Sequence, residues 1–90
     1  MYNSKYLNTD DVIAFFKDKD IDTETTENFW QKAIPAAGEL GFTHEGDRKR
    51  KILTIHTPAQ DRLLFGGFDS TNRTHLGIAL AYAVLNTKLH

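Results

Sequence analysis

Cysteine is absent from the chain, which removes disulfides, thiolate metal ligands and cysteine nucleophiles together and fits a reducing compartment. No apolar run approaches the roughly 20 residues that a membrane-spanning helix needs. The opening stretch MYNSKYLNTDD also lacks the apolar core of a secretion signal. The expectation is a cytoplasmic protein with no membrane partner. The four histidines, His44, His56, His75 and His90, fall at none of the spacings that bind zinc. No catalytic constellation, metal site or cofactor motif is visible, and the chain reads as a non-enzyme. Proline is scarce too, so Pro35 and Pro58 are both informative about where elements break.

What is present suits one domain over residues 1–90. A chain of 90 residues that is 40% hydrophobic buries roughly 60–65% of its unfolded surface, enough for a thin core but not for a deep cleft. Its longest apolar stretch is Thr74–Leu85, THLGIALAYAVL. At helical spacing this carries two stripes, Leu76, Ala79, Leu80, Ala83 and Val84 on one side and Ile78, Ala81, Tyr82 and Leu85 on the other. A helix apolar all round must be covered on both sides, by two layers of its own domain or by its domain and a second copy. Ile78, Tyr82 and Leu85 are the candidate surface for such a homo-oligomer.

Ahead of it, residues 1–8 form a polar leader and residues 9–41 a helical part. Thr9 is a candidate N-cap, with Asp10 and Asp11 at the positive end of a helix running to about Lys17. The segment Asp18-Lys19-Asp20-Ile21-Asp22-Thr23-Glu24 has oxygen side chains at alternate positions and resembles the first half of an EF-hand calcium loop. That family's sixth-place glycine and twelfth-place glutamate are Thr23 and Phe29 here, which favours a solvated interhelical loop. Thr25 or Thr26 then caps a second helix with one apolar stripe, Phe29, Trp30, Ala33, Ile34, Ala37 and Leu40. Pro35 kinks or splits it, and Gly41 is placed to end it.

From residue 42 the period changes to two, and residues 42–90 read as a sheet plus the last helix. Strands are expected over Phe42–Glu45, Lys49–Thr57 and Arg62–Phe68, followed by the cap cluster Asp69-Ser70-Thr71-Asn72. The predicted fold is therefore α+β in the order α-α-β-β-β-α, a three-stranded antiparallel sheet packed against helices. With Pro58–Asp61 as a four-residue loop, Thr57 faces Arg62. Leu53, Ile55, Leu64, Gly66 and Phe68 then share one face, and Ile52, Thr54, His56, Leu63, Phe65 and Gly67 the other. Gly66-Gly67 reads as a bulge or a close backbone approach.

Charge is uneven along the chain. Residues 1–46 carry nine acids and four bases, residues 47–90 three acids and seven bases. The sharpest feature is Arg48-Lys49-Arg50-Lys51. The order helix–strand–strand–strand–helix from Thr26 to Leu85 resembles, as topology, the double-stranded-RNA-binding domain and the HicA-type ribonuclease toxins. The first family's lysine-rich signature has one base in the matching segment Asp69–His75, and the Gly-Ser-His stretch of the second is absent, so neither family's functional residues carry over. The expected function is a small interaction protein, a regulator or inhibitor of the phage and mobile-element type, that occupies a surface of a larger macromolecule. Arg48, Lys49, Arg50 and Lys51 would meet an acidic partner, and Ile52, Leu63 and Phe65 would anchor it. A protein partner leads that expectation, with nucleic-acid binding through the 48–51 strip as the alternative.

Overall fold

A computed structural model describes residues 4–23 and 27–86. Its elements run β1 (Ser4–Asn8), α1 (Thr9–Asp18), α2 (Glu27–Gln31), α3 (Ala33–Glu39), β2 (Thr43–Asp47), β3 (Ile52–His56), β4 (Arg62–Gly66) and α4 (Arg73–Asn86). The architecture is mixed α+β with a sheet packed against helices, as expected. The sheet itself differs, having four strands in the order β1-β4-β3-β2. Part of the polar leader is its fourth strand, pairing parallel to β4 with Tyr6 opposite Leu64 and Asn8 opposite Gly66. A strand of five residues at an edge needs only one side chain in the core. In Ser4–Asn8 that side chain is Leu7, half-buried against the core, too little for an alternating pattern to show.

The helix boundaries follow local chemistry. Asn8, one residue before the expected cap, accepts the Asp10 amide on its side chain at 2.9 Å. Thr9 instead turns inward and donates its hydroxyl to the Gly66 carbonyl at 2.8 Å, tying the start of α1 to β4. The expected caps Thr25 and Thr26 lie outside the described residues. The second helix is split, as Pro35 requires. The break falls at Lys32, so that Pro35 sits in the first turn of α3, where an amide has no intrahelical partner in any case. Gly41, at φ +94°, ends α3. The Phe42 amide reaches the Ala37 carbonyl at 3.0 Å and the Gly41 amide the Gly38 carbonyl at 3.1 Å, the two bonds of a Schellman stop. Asn72 caps α4, accepting from the amides of Thr74 and His75.

The pairing of β3 with β4 corrects the expected register. His56, not Thr57, lies opposite Arg62. The loop is three residues long, Pro58-Ala59-Gln60, closed by the Thr57 amide on the Asp61 carbonyl at 2.9 Å. Gln60 takes φ +68°, and the Thr57 hydroxyl accepts the Asp61 amide at 3.0 Å. A left-handed residue ending a three-residue hairpin loop is a common way to close two strands, and it shifts the pairing by one. One residue of slip moves every β4 side chain to the opposite face. Leu63 and Phe65 consequently share the covered face with Leu53, Ile55 and Leu7, while Leu64 and Gly66 share the other with Ile52, Thr54 and His56.

Among the described residues the helices lie on that first face only. Buried apolar side chains from α1, α2, α3, α4 and the sheet form one cluster, in which Ile55, Phe65 and Ala83 are fully inaccessible. α4 is covered from both sides within the chain. Tyr82 meets Phe65 of the sheet edge-on, ring centres 6.2 Å apart, and meets Phe15 of α1 at 5.2 Å. α2 and α3 pack along α4 as well. Of the residues assigned to an oligomer, Ile78 is buried in this core, Tyr82 is half-buried between α1 and the sheet, and Leu85 alone is exposed.

Candidate interaction surface

Arg48-Lys49-Arg50-Lys51 is the whole of the loop between β2 and β3, since Asp47 and Ile52 are the last paired residues. A four-residue hairpin loop turns sharply, and here the sequence supplies two fixings. Asp47 accepts the amides of Lys49 and Arg50 on one carboxylate oxygen, at 3.0 and 3.1 Å, the Asx turn that short acidic side chains favour. Lys51 adopts φ +55° and its carbonyl accepts the Phe68 amide at 2.9 Å, binding the tip to the chain that follows β4. Arg48 reaches the Ser70 hydroxyl through Nε at 3.4 Å. All four bases are exposed. The turn thus holds its backbone with hydrogen bonds while projecting four positive charges from one end of the sheet.

The sheet face away from the helices adjoins this tip. Across the strands it presents three rows: Asn8, Gly66, Ile52 and Asp47 next to the tip, then Tyr6, Leu64, Thr54 and Glu45, then Ser4, Arg62, His56 and Thr43. Strand and residue spacing make this patch about 14 Å across and about 13 Å along. Tyr6 is 66% exposed. Its ring leans over Gly66, where an added Cβ would stand 3.0 Å from the phenol oxygen and 3.1 Å from Cε1. The missing side chain at 66 is what admits the ring. Gly66 is therefore the close-approach glycine, whereas Gly67, at φ +68°, turns the chain off the strand. His56 and Glu45 are diagonal neighbours, Nε2 to Oε1 3.2 Å, and form an ion pair whenever the imidazole is protonated.

The seven residues singled out in the sequence are thus divided. Arg48, Lys49, Arg50 and Lys51 form the tip and half-buried Ile52 opens the uncovered face beside it. Leu63 and Phe65 are on the helix-covered face, Phe65 with no exposed surface, so they belong to the core. Tyr6 and Leu64 take the places on the uncovered face that the shifted register had given to Leu63 and Phe65. Tyr6 gives no signal in the sequence, because its strand puts only Leu7 against the core and so shows no alternating pattern.

Two concavities lie elsewhere. One, of about 380 Å³, lies between Arg48 and Lys51 of the tip and the loop 67–71. Its Asp69 accepts both the hydroxyl and the amide of Thr71, at 2.6 and 2.9 Å. These bonds hold the Asp69 carboxyl below its ordinary pKa of 3.8, with smaller help from the charges of His75 and Lys51. The other, of about 420 Å³ and nearly all apolar, runs between α2, α3 and α4 past Phe29, Leu40 and Leu85. In the segment that resembles a calcium loop, Asp20 takes φ +60° and the Asp22 carbonyl accepts the Trp30 indole N–H at 3.1 Å. Trp30 is a core residue, 2% exposed. Among the described residues no three histidine or acidic side chains gather to hold a metal ion, and no helix is long and apolar enough to cross a membrane.

Comparison of the chain with protein-family models, with curated proteins and with solved structures gives no match.

Proposed function

We propose that this chain is a non-enzymatic interaction protein, a small regulator or inhibitor that works by covering an acidic surface of a larger macromolecule. The observation that carries the reading is the tip: four consecutive bases, all exposed, fixed by Asp47, Phe68 and Ser70 at the margin of an uncovered sheet face. Four like charges in one turn repel each other, and the exposed contacts they make, Arg50 with Asp47 at 3.9 Å and Arg48 with Ser70 at 3.4 Å, contribute little to folding. Held in a defined shape, they raise the local concentration of anions and orient an approaching partner. Ile52, Leu64 and Tyr6 provide apolar contact area next to them. His56 and Glu45 pair on this face, with Thr43 and Thr54 beside them and an open concavity bordered by His56, Thr57 and Arg62; the pair lies exposed on the sheet rather than enclosed, which favours binding over chemistry.

The direct test replaces the four bases together, Arg48→Gln, Lys49→Gln, Arg50→Gln and Lys51→Asn, the last because asparagine tolerates the left-handed backbone. The variant should melt within a degree or two of the parent and lose binding to anionic polymers, poly-glutamate and oligonucleotides alike. Undiminished binding by a folded variant would remove the tip from the function.

A further inference from the structure

We propose that the acidic partner is a single-stranded nucleic acid, with an unpaired base laid on Tyr6 and the flanking phosphates held by the 48–51 tip and by Arg62 at the far end of the same face. This rests on the interaction-surface reading above and names its partner. Four bases alone make a weak footprint, and a stacking platform needs an aromatic beside them. The sequence separates the two by more than forty positions. Parallel pairing of β1 with β4 brings Tyr6 into the row next to that of Ile52 and the tip, on the uncovered face.

Three features favour nucleic acid over an acidic protein surface. An aromatic ring that is two-thirds exposed on a sheet, seated over a glycine, offers a π-face that any base can stack against. With Leu63 and Phe65 turned inward, the apolar groups on that face are half-buried Ile52 and Leu64 beside exposed Tyr6, so the Tyr6 ring is the large apolar group a partner reaches most fully. The middle row runs from Tyr6 and half-buried Leu64 to polar groups, Thr54 and Glu45 engaged with His56. Duplexes are disfavoured because their bases are already stacked on each other and leave nothing for Tyr6 to take. The patch has room for on the order of two or three nucleotides, one of them stacked on Tyr6.

Fluorescence anisotropy with a labelled oligothymidylate and a labelled oligouridylate tests this, with a duplex of equal length and labelled poly-glutamate as the other arms. The expected result is preference for either single strand over the duplex. Its log–log salt slope should be about −3.5, from the four tip bases and Arg62 at about 0.7 each. Affinity should fall about tenfold or more in Tyr6→Ala and stay within about twofold in Tyr6→Phe. Gly66→Ala, which displaces the ring by a few tenths of an ångström, should weaken binding less than Tyr6→Ala does. Equal binding of duplex and single strand, or a folded Tyr6→Ala with parental affinity, overturns the stacking proposal. Tip-dependent binding of poly-glutamate without binding of either oligonucleotide overturns it too while leaving the interaction surface standing. Binding of none of the probes overturns both.

Discussion

Gly77 shows how much one residue can carry in so thin a core. It lies where α4 crosses α2, and a Cβ there would overlap the Trp30 carbonyl oxygen. That atom is backbone and cannot swing away, so the helices would have to part. Gly77→Ala should therefore destabilise the chain by about 1–3 kcal/mol or more despite alanine's better helix propensity. Urea unfolding measures it, and a variant as stable as the parent would mean that α2 does not approach so closely. Asp69 makes a second test, set by its lowered pKa. A carboxyl with a folded-state pKa below its unfolded value stabilises the fold above the unfolded value and stops doing so as pH falls through the folded one. Asp69→Asn should thus melt below the parent at neutral pH, with the gap closing under pH 3.8. A gap that persists in strong acid would show that the charge is not what Thr71 responds to. None of this was visible in the sequence, where Gly77 is one small residue within an apolar run. Gly66-Gly67 reads in the sequence as a bulge or a close backbone approach; in the structure a side chain, the Tyr6 ring, approaches Gly66, and Gly67 takes φ +68° where the chain leaves the strand.

Among the elements, those with strong periodicity or strong punctuation could be read in advance. α4 extends one residue beyond the expected stretch at each end, the second helix breaks near Pro35, and Gly41 stops it. β1 could not be read, because an edge strand with one face in solvent leaves almost no hydrophobic pattern. The β3–β4 register failed by one residue for a local reason, the left-handed Gln60 and the Thr57 hydroxyl that let three residues close the loop. That single residue decides which side chains can meet a partner. Phe65→Ala separates the two registers. With Phe65 fully buried against Tyr82, the change should cost about 3–5 kcal/mol, read from urea unfolding. Stability close to that of the parent would return Phe65 to the outer face. Leu64→Ala, on the uncovered side, should cost less than half as much.

The whole molecule has two unlike sides. One sheet face is closed by α1 and α4, with α2 and α3 against α4, and the other is left open with four bases at its margin. The sequence disclosed the base cluster, the mixed α+β class and the need to cover the last helix twice. It did not disclose that this covering is supplied within the chain, nor that Tyr6 comes to lie near the tip, because both depend on contacts between distant segments. The open face and the tip are the working surface we propose. The measurement that tests it most directly is hydrogen exchange of the backbone amides with and without oligothymidylate. Protection should appear at residues 47–54 and 62–66 and in β1, with α2, α3 and the C-terminal half of α4 unchanged. Protection confined to the helical side, around Phe29, Leu40 and Leu85, would contradict the account and move the function to the apolar cleft.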